Sequence, residues 1–204
     1  TAVNKLSAEI VEQAALALWW DGRQKLVRLQ VLRPISTTAQ AFTEDHILAG
    51  SLRTREQPES RLSDVLTYFA LRNPLRPANE TDNYRSSALS VDAVAIAEYG
   101  GRANKVIMSR WIPFGARTVA QRLNNIQLGR FRDPPRRFNF ATFRHGHGEV
   151  ALGGGYQLGW TANQDALGNP ALAPIQVTRL NPLPDRFEIE AEEMLFTRYE
   201  DFDL

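Results

Sequence analysis

Five groups of residues in this sequence invite a chemical reading. His145-Gly146-His147 sets two imidazoles two residues apart, so on an extended strand both would lie on one face. A metal would need further ligands from Glu149 or His46, and the surrounding glycines favour a polar loop, so no metal site is expected. Asn163, Asp165 and Asn169 loosely suggest calcium, but the closing bidentate Glu of a calcium loop is missing. Gly153-Gly154-Gly155 lacks the Lys-Ser/Thr of a phosphate loop and opens no helical pattern, which leaves a turn or bulge.

Carboxylates crowd Glu188, Glu190, Glu192 and Glu193. Strand alternation explains the first three as one solvated or interface face. Acid–base work would need one carboxyl buried with a raised pKa, for which the pattern offers nothing. There is no Gly-x-Ser-x-Gly elbow and no cysteine, hence no thiol nucleophile, disulfide or Cys-bound zinc. No enzyme and no cofactor are expected.

The fifth group is cationic. Arg130, Arg132, Arg136 and Arg137 flank Asp133-Pro134-Pro135, and the prolines stiffen the loop that presents them. A fixed guanidinium fork suits bidentate pairing with carboxylates, on another subunit or module or on Glu188, Glu190, Glu192, Asp201 and Asp203 of this chain. Nucleic acid is not expected, because 24 basic residues are offset by 23 acidic ones for a net charge of +1.

The elements that must position these groups follow from periodicity. Ser7 can cap a helix running to about Ala17, with Ile10, Ala14 and Leu18 on one stripe. Asp21-Gly22 is a hairpin turn between a strand ending at Trp20 and a returning strand Lys25 to Leu32, with Val27, Leu29 and Val31 on one face. Strands are expected at Leu62 to Leu71 and Lys105 to Trp111, separated by loops at 73–77 and 79–83. A helix over Ala116 to Leu128 carries a stripe of Ala116, Val119, Ala120, Leu123 and Ile126, with Gly129 as its left-handed C-terminal residue. Phe138 and Phe140 mark a strand. A hairpin joins Ile175–Leu180 to Arg186–Met194, with Phe187, Ile189 and Ala191 inward and Glu188, Glu190 and Glu192 outward.

The composition, 43% hydrophobic and 23% charged over 204 residues, is that of an ordinary globular protein. No apolar run approaches the roughly 18 residues of a membrane helix, so no membrane span is expected. The fold class is α+β and β-dominated, with small β-barrel or sandwich-like modules and a few helices. Residues 1–112 are expected to form a mixed subdomain, and 113–204 a helix plus a β module.

Several stretches in order along the chain resemble hub-like tail proteins of long-tailed phages and prophages. They are Ala15-Leu-Ala-Leu-Trp-Trp-Asp21, Asp45-His-Ile-Leu-Ala-Gly-Ser51, Leu66-Thr-Tyr-Phe-Ala70 with Asn73-Pro74, and Ser109-Arg-Trp-Ile112. Arg130-Phe-Arg-Asp-Pro-Pro-Arg-Arg-Phe138, Leu152-Gly-Gly-Gly-Tyr-Gln157 and Glu190-Ala-Glu-Glu-Met-Leu-Phe196 complete the series. The resemblance implies a portion of a larger hub protein in the virion tail, joined to other tail proteins and to copies of itself as a trimer. It supplies no catalytic residues. The rival reading is a carbohydrate- or receptor-binding β module using Trp19, Trp20, Tyr156 or Trp160 as its platform.

Overall fold

The computed structural model describes residues 3–22, 24–144 and 150–196. Strand outweighs helix, 42% against 22%, so the chain is α+β and β-dominated. Three separate sheets form, and none closes into a barrel among the described residues.

Helix α1 (Val3–Gln13) leads into a two-stranded hairpin, β1 (Leu16–Asp21) and β2 (Leu26–Val31). The helix starts and ends earlier than Ser7 to Ala17. Tertiary contacts hold it there: Glu9 pairs with Arg110 at 2.9 Å, Glu12 pairs with Lys105 at 2.8 Å, and the Gln127 amide donates to the Glu12 carbonyl at 3.0 Å. Ala15, at φ 48°, turns the chain out of the helix.

The second sheet has three strands, β5 (Asp64–Leu71), β6 (Tyr84–Val91) and β7 (Asn104–Met108), with β5 in the middle. Helix α2 (Ala93–Tyr99) makes the crossover from β6 to β7. The Asp92 carboxylate caps its first turn by accepting from the Ala95 N–H at 2.9 Å, and Gly100 ends it at φ 67°.

Helix α3 (Arg117–Phe131) covers one face of this sheet. Its face is rotated from the expected stripe. Val119 is exposed, while Ala120, Asn124, Gln127 and Leu128 are buried. Asn124 can be inside because all its polar atoms are engaged. Its carbonyl accepts from Thr67 at 2.6 Å, and its amide donates to the Val65 and Ala88 carbonyls at 3.1 Å each. Gly129 is not a left-handed cap either; it lies buried within the helix, which runs on to Phe131. Leu128 and Phe131 pack with Leu62, Val65 and Ile107, and this packing carries the helix past the glycine.

The third sheet has six strands in the order β3-β9-β10-β11-β8-β4. They are β3 (Ala41–Phe42), β4 (Arg53–Glu56), β8 (Arg136–Phe143), β9 (Gly155–Gln164), β10 (Pro170–Pro182) and β11 (Arg186–Glu193). Strands from before and after residue 112 therefore share one sheet. Its core is Phe42, Phe138, Phe140, Leu158, Ile175 and Ile189, all nearly solvent-free, with the Phe42 and Phe140 rings edge-to-face at 5.6 Å. Alternation along β11 behaves as expected: Phe187, Ile189 and Ala191 are buried, and Glu188 is exposed.

Candidate interaction surface

The β1–β2 hairpin is built on its turn. Asp21 accepts from the Gln24 N–H at 3.1 Å and pairs with the Arg28 guanidinium at 2.7 Å, which also donates to the Gln24 side chain. The register places Leu16 opposite Val31, Leu18 opposite Leu29 and Trp20 opposite Val27. Period two then puts these six apolar side chains on one face, and Ala17, Trp19, Arg28 and Gln30 on the other.

The apolar face is the outer one. Trp20 is 59% exposed, Val27 62%, Leu29 63%, and Leu18 and Val31 46% each. The inner face is docked along β1, while Leu26, Arg28 and Gln30 of β2 stay exposed on it. Ala17 packs beside Ala15, Leu32, Met194 and Phe196. The Trp19 ring lies on Gly153, where an added Cβ would sit 2.5 Å from it.

That contact explains the glycine run. A Cβ at Gly154 would meet the Tyr156 ring at 2.8 Å, and one at Gly155 would meet Ile35 at 3.0 Å. Gly153 also turns at φ 75°. The run is a turn, as expected, and it is also the seat of the hairpin.

Three of the four clustered arginines engage carboxylates within the chain. Arg130 reaches Glu192 at 2.8 Å, joining α3 to β11. Arg132 reaches Glu98 at 2.7 Å, Asp92 at 3.3 Å and Asp133 at 3.4 Å, tying the end of α3 to α2. Arg136 grips Glu193 with two nitrogens, at 2.8 and 2.5 Å, and donates to Asn163 at 2.9 Å. Its guanidinium also lies over the Phe138 and Trp160 rings. The hydrogen bonds it donates to Glu193 raise the Arg136 pKa, against burial. Arg137 is exposed and has no carboxylate partner among the described residues.

Of the acidic strand, Glu190 pairs with Arg179 at 3.3 Å and Glu188 accepts from Asn181 at 3.0 Å, both near solvent. Glu193 was not singled out as a partner for the arginines, although a signal was present. It follows Glu192 directly, so alternation places it with Ala191 on the buried face, where a carboxylate needs a cation. Asp92 and Glu98 were missed because α2 was not expected.

Two of the remaining candidates, Asp165 and His46, make local hydrogen bonds. Asp165 accepts from the Leu167 and Asn169 N–H groups at 2.8 Å each, and these bonds with the Asn169 side chain hold its carboxyl below the usual range. His46 accepts at Nδ1 from the Thr43 N–H at 3.1 Å, closing a short capping box. His145, His147 and Glu149 lie outside the described residues. Among the described residues no group of three His, Asp or Glu side chains converges as metal ligands. No helix among them is long and apolar enough to cross a membrane. Of the four candidate platform aromatics, Trp20 alone is exposed. Tyr156 is buried, Trp19 is half-buried on Gly153, and Trp160 packs against Phe138.

The structure defines a β-rich molecule braced internally by arginine–carboxylate pairs, with an uncovered apolar face on a docked hairpin. No family model matches the chain, and no curated protein sequence does. The fold is shared with solved structures. One is the prophage tail protein gp18 from Listeria monocytogenes, with a TM-score of 0.51 and 8% identity over 98% of this chain. Another is the 43 kDa tail protein of prophage MuSo2 from Shewanella oneidensis, with a TM-score of 0.50 and 10% identity over 98% of this chain. The chain spans about half of each, 54% and 55%.

Proposed function

We propose that the chain is a structural, non-catalytic part of a phage or prophage tail, at its tip or hub, where it joins neighbouring subunits. Its partners are other tail proteins and further copies of itself, with a closed ring of three as the expected assembly and the virion tail as its place. The observation that carries this reading is the outer face of the hairpin. Single exposed apolar residues are ordinary on a protein surface, but three adjacent cross-strand pairs make a contiguous patch of the kind that marks an interface. Fully burying one such side chain is worth about 1.5–3 kcal/mol, so a partner gains most by covering the whole row. The fold shared with two prophage tail proteins supports the setting. Arg137, Glu188 and Glu190, exposed or half-exposed on the large sheet, are the charged groups of the expected set best placed for contacts beyond the chain.

A glycan-binding role has Trp20 as its one exposed platform residue, and no polar side chain shares that face to orient a sugar. The face suits protein better.

The test is a Trp20→Asp/Leu29→Asp variant of the full-length protein in phage assembly. Its melting temperature should match wild type, because both side chains already face water, while its incorporation into tails should fail. Normal incorporation would overturn the reading.

A further inference from the structure

The large sheet ends, at β4, in a patch of like charge. Side chains of paired residues share a face, so Arg53 and Arg55 stand with Asn139 and Arg137 on the side away from Phe138 and the core. The register sets Arg55 directly opposite Arg137, and Arg53 opposite Asn139. Gln57 donates to the Pro135 carbonyl at 3.1 Å, and the antiparallel ladder alternates from there. Arg55 and Arg137 are therefore a hydrogen-bonded pair, with Cα atoms about 5.5 Å apart. All three arginines are exposed, and none holds a carboxylate among the described residues.

Like charges directly opposite one another on a sheet are destabilising. The same stretch of sequence avoids this elsewhere, because Arg130, Arg132 and Arg136 each take a carboxylate. Arg137 faces Glu192 across β11, but Arg130 already holds that carboxylate at 2.8 Å. Arg55 and Arg137 thus keep a repulsion that an anion from another molecule would relieve.

We propose that this face binds an extended acidic protein segment, whose carboxylates at alternate positions seat on Arg53 and Arg55 beside Arg137. The spacing suits a strand. Alternate side chains of an extended chain repeat at roughly 6.7 Å, the interval that also separates Arg53 from Arg55. A guanidinium takes a carboxylate through two nitrogens, as Arg136 takes Glu193. Asn139, exposed beside Arg53, offers its amide to the backbone of the segment. A phosphate polymer fits less well, because Glu190 and Glu192 stand on the same face one strand away and would repel it. The patch lies on a different sheet from the β1–β2 hairpin, and the inference does not rest on the tail reading.

The probe is a short labelled peptide in which Glu and Thr alternate, followed by fluorescence anisotropy at low salt. The wild-type chain should bind it. The Arg53→Gln/Arg55→Gln/Arg137→Gln variant should bind on the order of tenfold more weakly, since exposed ion pairs contribute little singly. Arg85→Gln/Arg102→Gln/Arg117→Gln makes the same change in net charge at exposed arginines elsewhere and should bind like wild type. Melting gives a readout that needs no ligand. Arg55→Gln alone should leave the melting temperature at low salt unchanged or higher, because it removes a repulsion. A lowered melting temperature would mean that Arg55 is already paired within the chain, and overturns the proposal. So does peptide binding that is absent in the wild type or equal in the patch variant. Tighter binding of labelled single-stranded DNA, lost in the patch variant, would assign the face to nucleic acid and overturns it as well.

Discussion

Two hairpins in this molecule follow the same sequence rule and end up opposite. The β10–β11 hairpin alternates apolar and charged residues and buries its apolar face, with Phe187 and Ile189 almost without solvent contact. The β1–β2 hairpin alternates along β2, from Val27 to Val31, and shows that apolar row to water. Alternation settles which side chains share a face, while the neighbours of the strand settle which face is buried. β11 sits between β10 and β8 inside a six-stranded sheet, whereas β1 and β2 form a sheet of two among the described residues, held by Trp19 and Ala17 on the opposite side. A two-stranded ribbon is marginal by itself. One that turns its apolar row outward is held by its inner contacts and is available to a partner.

The comparison can be broken by mutation at each hairpin. Phe187→Ala should have the largest effect, a loss of about 3–5 kcal/mol in chemical denaturation, because it empties a closed core. Arg136→Ala should follow at about 3 kcal/mol, leaving Glu193 buried without its cation; Arg136 keeps some solvent, which sets the value at the low end for such pairs. Arg136→Lys should recover part of this at most, since an ammonium cannot reproduce the two-nitrogen grip.

Gly153→Ala should cost about 1–3 kcal/mol, through the left-handed backbone and the displaced Trp19 ring. Trp19 fluorescence should shift towards that of a solvated indole, and an unchanged spectrum would mean the hairpin is seated elsewhere. Leu29→Asp should have the smallest effect, within about 0.5 kcal/mol of wild type, because the side chain is mostly in water and gives up little beyond its cross-strand contact with Leu18. A large loss there would mean that the outer face is covered within the chain itself.

The two hairpins were legible because their turns are strong local signals, Asp21-Gly22 and the proline-rich Asn181 to Asp185. Strand β6 was not, since its inward positions include Ser86 and Ser90 as well as Tyr84 and Ala88, and no apolar period emerges. It forms because β5 offers it a full ladder from Asp64 to Leu71. Helix α3 was legible as a helix but not in its facing. Its buried side holds Asn124 and Gln127, and the backbone carbonyls that accept from their amide nitrogens come from residues far away in sequence. Of the arginine pairs, Arg130 with Glu192 followed from the acidic strand. Two of the partners of Arg132, Asp92 and Glu98, sit at the cap of α2 or on it, an element whose short Ala-rich run gave no amphipathic stripe. The direction of the β1–β2 face was beyond sequence reasoning, because nothing in a hairpin records which side the rest of the molecule occupies.

The central claim is that the outer face of the β1–β2 hairpin is covered in the assembled particle. Hydroxyl-radical footprinting of the protein, free and within intact tails, measures this directly at Trp20, Leu18 and Leu29. The account predicts strong oxidation of all three in the free chain and marked protection in tails, with Leu75, 92% exposed on a distant loop, as the internal reference. Equal oxidation of Trp20 and Leu29 in both states would contradict it.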